Sequence, residues 1–213
     1  MVFKDREQAG ELLAEAILRK YDGTLQNPVI VAIPRGGVVV AEPIARKLKA
    51  PIELVIPRKI GAPFDEEFAV GAVTEDGSIL KNPYAERLNI DEDYFKRKAL
   101  EELKEIERRR KTYLGNKERI PLEGKDVILV DDGIATGLTV KAAILSLRKL
   151  KPNRLILAIP VMPEEKVPEF REMVDDLIVL HAPEFFAAVG QFYENFSQTT
   201  DDEVIEILRK YHP

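Results

Sequence analysis

The chain has 213 residues, 45% of them hydrophobic and 32% charged, with a net charge of -5; that is enough apolar material for one domain with a real core. It has no cysteine and two histidines, which excludes disulfides, iron–sulfur clusters, thiolate zinc sites and cysteine nucleophiles, and would leave a Ser-His-Asp triad dependent on His181. No apolar run has the length needed to cross a membrane, the charged opening MVFKDREQAG lacks a signal-like apolar region and points to a cytoplasmic protein, and the acidic balance argues against nucleic acid as the main partner.

Residues 5–21 predict a helix, with Ala9, Leu12, Leu13, Ala16, Ile17 and Tyr21 on one face and Asp5 and Gln8 spaced as a capping box. PVIVAI (28–33) reads as a short buried strand ending at PRGG, followed by a helix through AEPIARKL (41–48) and a strand IELVI (52–56). PRKIGAPFDEE (57–67) has no period and reads as a loop, while FAVGAV (68–73) and SIL (78–80) read as strands around the turn TEDG. Residues 91–114 predict a long charged helix with a narrow apolar stripe. Glu105 and Arg109, and Glu107 and Lys111, have the favourable pairing interval. We read it as a solvated helix across the domain rather than a basic binding surface at ERRRK (107–111).

A further apolar strand then runs into two aspartates, followed by a helix with Val140, Ala143, Ile144 and Leu147 on one face. RLILAIP (154–160) and LIVL (177–180) are strands, 163–173 a helix, and 201–211 a helix capped by Asp201. Strands alternating with helices predict an α/β fold, a mostly parallel twisted sheet with helices on both faces.

The stretch VILVDDGIATGLT (127–139) carries the chemistry. In an open parallel sheet ligands bind beyond the carboxyl ends of the strands, where Asp131 and Asp132 fall. Carboxylates accept several hydrogen bonds and suit the vicinal hydroxyls of a ribose. The small residues after them let the backbone close on a ligand, and the N–H groups at the helix start, with the hydroxyls of Thr136 and Thr139, favour an anion. One aspartate would suffice to cap the helix; the second, and the flanking hydroxyls, need another reason. There is no G-x-x-x-x-G-K-[ST] and no G-x-G-x-x-G after a strand.

VILVDDGIATGLT resembles the phosphoribosyl pyrophosphate (PRPP) motif of the type I phosphoribosyltransferases, and the full chain resembles bacterial and archaeal phosphoribosyltransferases of unassigned substrate. The resemblance implies that Asp131 and Asp132 hold the ribose hydroxyls, and a magnesium ion directly or through water, and that Ala135, Thr136, Gly137, Leu138 and Thr139 wrap the 5′-phosphate. IPRGG (33–37) resembles the family's pyrophosphate loop, with Arg35, Gly36 and Gly37 at the phosphates and often an unusual cis peptide. PRKIGAPFDEE resembles its mobile loop, with Arg58 and Lys59 as the catalytic basic pair. The implied organisation is a single domain over 1–213, with a core of about 28–160, a helical insertion of about 83–115, and a hood from the N-terminal helix and about 181–213. The hood would cover the acceptor, with Phe185, Phe186 and Tyr193 available to stack on a base. A homodimer is also implied.

The implied reaction is magnesium-dependent transfer of the 5-phosphoribosyl group from PRPP to a nitrogen acceptor, a nucleobase, with release of pyrophosphate. Ala135 stands where oxopurine enzymes of the family carry an acid/base aspartate, which disfavours hypoxanthine and guanine. Gly133 stands where an apolar residue is common. The alternative is a non-catalytic PRPP-binding regulator on the same fold, against which Arg35, Arg58 and Lys59 argue.

Overall fold

The computed structural model describes residues 1–213. Five short apolar segments form one parallel sheet: β1 (Val29–Ala32), β2 (Ile52–Leu54), β6 (Asp126–Val130), β7 (Arg154–Val161) and β8 (Asp176–His181), in the order β2-β1-β6-β7-β8. Strand alternation splits the core in two. Ile30, Ala32, Ile128, Val130, Ile156 and Ala158 face α1 (Arg6–Tyr21), α2 (Gly36–Leu48) and α6 (Asp201–Tyr211). Val29, Val31, Val127, Leu129, Leu155 and Leu157 face α4 (Leu138–Arg148) and α5 (Val167–Met173). Burial on both faces is why these strands read as unbroken apolar runs.

The crossover between β2 and β6 holds an antiparallel sheet, β3 (Arg58–Gly61), β4 (Ala69–Val73) and β5 (Ile79–Lys81), and the long helix α3 (Glu92–Leu114). The expected loop at 57–67 is therefore partly strand. Its period was hidden because β3 has four residues, of which only Ile60 is buried. The strand order turns back between β1 and β6, the place where doubly wound sheets leave a crevice. PRGG leaves β1 there and the paired aspartates leave β6.

The helix ends differ in detail from expectation. Asp5 caps α1 by accepting from Gln8 N at 2.8 Å, but the Gln8 side chain returns to Lys4 N rather than Asp5 N. Helix α2 begins at Gly36, five residues before the apolar signal, so the two glycines form its first turn. Thr200, not Asp201, caps α6, accepting from Glu203 N at 3.1 Å. On α3, Glu105 pairs with both Arg108 and Arg109, while no Glu107–Lys111 pair forms. That helix is less solvated than its composition suggests: the half-buried Arg110 pairs with Glu53 at 2.7 Å and Glu75 at 3.4 Å. No helix is long and apolar enough to cross a membrane.

Candidate active site at the β1–β6 crevice

The loop after β1 and the loop after β6 lie against each other. The Pro34–Arg35 peptide is cis. A Cβ on Gly37 would stand 2.9 Å from Val130 O and 3.2 Å from Asp131 Cα. One on Gly36 would stand 2.8 Å from Arg6 Nε and 3.0 Å from Asp132 Cγ. The glycines are thus required by close approach: they let the first turn of α2 rest on the acid pair.

Beyond the acids the chain opens into a cradle. Ile134 is buried and its N–H bonds Val161 O at 3.0 Å, which anchors the turn. Ala135 and Thr136 are exposed, and Gly137 takes a φ of 87° at the start of α4. The first bond into the helix is Lys141 N to Gly137 O, so the N–H groups of residues 135–139 have no protein acceptor. Consecutive free N–H groups at a helix start favour an anion.

The acid pair is largely buried. Asp131 Oδ1 accepts from Asp132 N at 2.8 Å, and Asp132 Oδ2 accepts from Arg6 Nε at 2.9 Å. One oxygen of each carboxylate, Asp131 Oδ2 and Asp132 Oδ1, has no protein donor. Burial, then the charge of Asp132, pushes the Asp131 carboxyl well up. Burial also raises Asp132, with Arg6 pulling against it. The Tyr193 hydroxyl donates to Asp132 O at 2.6 Å, and burial followed by the acid pair raises that phenol too.

The basic residues do not converge in this conformation. Arg58 donates to Glu102 of α3 at 2.8 Å. Lys59 is exposed, makes no ion pair and lies opposite Ala72 in the ladder. Opposed residues share a face, and Ala72 packs on Leu138 and Ala142 of α4, so Lys59 lies on the face toward the cradle. Arg35 is turned to the start of α6, 3.6 Å from Asp201, beside a cavity of about 80 Å³ bounded also by Arg108, Arg109 and Tyr113. The Tyr113 hydroxyl donates to Asp201 at 2.8 Å, and burial with that bond raises it to about 12.

Next to the cradle is a cavity of about 730 Å³, lined by Ala135, Thr136, Pro163, Phe185, Phe186 and Gln191, with Glu165, Lys166 and Glu184 as its charged groups. Phe185 is 81% exposed. Phe186 stacks on Phe192, with centroids 5.3 Å apart. Tyr193 does not line the cavity; it is buried between Phe3 and Phe196. His181 ends β8 edge-on to Phe192, with its imidazole pKa lowered by burial.

A family model for the phosphoribosyl transferase domain matches residues 4–196. The chain belongs to this family. A Mycobacterium tuberculosis protein named "Putative phosphoribosyl transferase" is 38% identical over 212 residues, 99% of this chain and 47% of that one. The chain thus spans about half the length of the curated relatives it matches. The crystal structure of TT1426 from Thermus thermophilus is 40% identical, covers 99% of both chains and superposes with a TM-score of 0.83. AQ2163 from Aquifex aeolicus, 15% identical over 87% of this chain and 78% of that one with a TM-score of 0.51, shares the fold.

As a phosphoribosyltransferase-family chain, the protein has two features that its motif does not disclose. Arg6, in the first turn of α1, reaches the second aspartate of the motif. Gly133 is explained by the C-terminal segment: a Cβ there would stand 2.5 Å from Val189 Cγ1 and 3.2 Å from Val161 Cγ1. The glycine makes room for residues 189–193, where an apolar side chain would displace them.

Proposed function

We propose that the protein transfers the 5-phosphoribosyl group of PRPP to a nitrogen acceptor, a nucleobase, and releases pyrophosphate. The observation that carries the reading is the meeting at one crevice of a glycine turn, two carboxylates each with a free oxygen, and five consecutive N–H groups without protein acceptors. The free oxygens of Asp131 and Asp132 suit the two ribose hydroxyls, and residues 135–139 suit the 5′-phosphate. Arg35, Gly36 and Gly37 face the pyrophosphate in this reading, and Arg58 and Lys59 neutralise it as it leaves. The cavity beside Ala135 takes the acceptor, with Phe185 and Phe186 against its ring.

No group of three His, Asp or Glu side chains is placed to cage a metal. Magnesium does not ask for one: it prefers phosphate oxygens, waters and one or two carboxylates, a donor set that Asp131 and Asp132 complete. When bound with PRPP it offsets charge on the departing pyrophosphate. The protein's own residues hold the sugar in place and exclude water from its C1. In this reading residues 28–160 are the core, 83–115 an insertion, and α1 with 181–213 the cover over the acceptor, in a homodimer.

One observation favours the second reading, a PRPP-binding regulator: Arg35 and Arg58 are both engaged by acids outside the crevice. A pyrophosphate-release assay with PRPP, magnesium and a panel of purines, pyrimidines and small amines separates the two. We expect release above the no-acceptor background, reduced about a hundred-fold in Lys59→Ala with PRPP binding retained. Tight PRPP binding with no release across the panel would establish the regulator instead.

A further inference from the structure

Arg6 is an unexpected residue for its position. It occupies the first turn of α1, where the helix dipole disfavours a cation. Its side chain is 12% exposed, so desolvation disfavours the charge as well. Three contacts compensate. Nε donates to Asp132 Oδ2 at 2.9 Å, Nη1 donates to Ser197 O at 2.7 Å, and the guanidinium lies 4.0 Å from the centroid of the Phe196 ring. Two donors fixed in one rigid plane, one to an acid and one to a carbonyl, with the flat face of that plane on a ring, are an arrangement that the ammonium of lysine cannot copy. Gly36 closes the other side, since a Cβ there would meet Nε at 2.8 Å. Arg6 therefore touches the acid pair, the glycine turn and the C-terminal segment at once.

We propose that Arg6 is a positioning residue for the phosphoribosyl donor: it fixes the Asp132 carboxylate in place for the ribose hydroxyls and ties it to residues 196–197. The inference rests on the PRPP reading of the crevice. Arg6 takes one oxygen of Asp132 and leaves the other for ligand, so its effect falls on the sugar half of the donor. The pyrophosphate half is held by other groups.

Half-ligands test this. Wild type, Arg6→Lys and Phe196→Leu are titrated calorimetrically with PRPP and magnesium, with ribose 5-phosphate, and with pyrophosphate and magnesium. In Arg6→Lys we expect PRPP and ribose 5-phosphate to weaken about ten-fold, with pyrophosphate unchanged within about two-fold. Phe196→Leu keeps the cation and removes the ring beneath it; it should show the same selectivity to a smaller extent, and serves if Arg6→Lys does not fold. Equal weakening of all three ligands would mean a merely structural role, and unchanged ribose 5-phosphate binding in both variants would also overturn the proposal. Wild type that binds pyrophosphate but neither PRPP nor ribose 5-phosphate would overturn the donor reading and this inference with it. Wild type that binds all three, with unaffected variants, overturns the inference alone.

Discussion

Gly36→Ala puts two opposing effects in competition. In an open helix, alanine is favoured over glycine by about 0.5–1 kcal/mol. Here the new Cβ would stand 2.8 Å from Arg6 Nε, 3.0 Å from Asp132 Cγ and closer still to Asp132 Oδ2. The carboxylate must retreat by on the order of an ångström to reach ordinary contact. The Asp132 backbone cannot follow, because Tyr193 holds its carbonyl at 2.6 Å and Ile134 N is bonded to Val161 O at 3.0 Å. The side chain must turn instead, which breaks the 2.9 Å bond from Arg6. Overpacking costs about 1–3 kcal/mol and the lost charged hydrogen bond about 1.5–3 kcal/mol. The two overlap, so the net destabilisation is about 2–4 kcal/mol once the gain in helix propensity is deducted. PRPP affinity should fall about 10- to 100-fold, because a displaced acid no longer meets the ribose. Thermal melts and calorimetric titration with PRPP and magnesium measure both effects. A variant with raised Tm and unchanged PRPP affinity would refute the argument that the glycine turn and the acid pair form one site.

Two further changes probe the frame around the site. Gly133→Ala should destabilise by about 1–3 kcal/mol through the clash with Val189, and Val189→Ala should restore most of the loss in the double variant, measured by denaturant unfolding. Burial raises the Asp76 carboxyl, but hydrogen bonds from Thr74, Ser78 and Lys149 outweigh it and hold the pKa at about 2. A depressed carboxyl stabilises the fold above its unfolded value and loses that contribution as pH falls through the folded one. Asp76→Asn should therefore lower Tm at neutral pH, and the gap should close between about pH 4 and pH 2; a gap independent of pH would show that the charge is not what matters.

The parallel sheet was legible because its strands are buried on both faces and bounded by helices with clear stripes. The boundaries that moved lie where side chains carry weak local signals. Helix α2 starts on two glycines, which propensity places outside helices, and packing against the acid pair overrides that preference. The candidate site was legible where it is local in sequence, as in residues 131–139 and 33–37. Arg6 was not, because its partner lies 126 residues away. Its signal was indirect: a buried cation at the positive end of a helix needs an acid from elsewhere.

Arg58 and Lys59 show how local structure constrains a functional reading. Taken as a loop, the two could face one phosphate together. On a strand, adjacent side chains point to opposite faces. Residue 58 opposes Val73 and reaches Glu102 of α3, while residue 59 opposes Ala72 and shares its face with the start of α4. The 23-residue helix α3 thus acts as more than a solvated bar across the domain: it supplies the acid that holds Arg58. With β3 paired as it stands, the proposed neutralisation of a departing pyrophosphate rests, of these two residues, on Lys59. Arg58 joins it only by leaving Glu102 and turning its side chain around the strand.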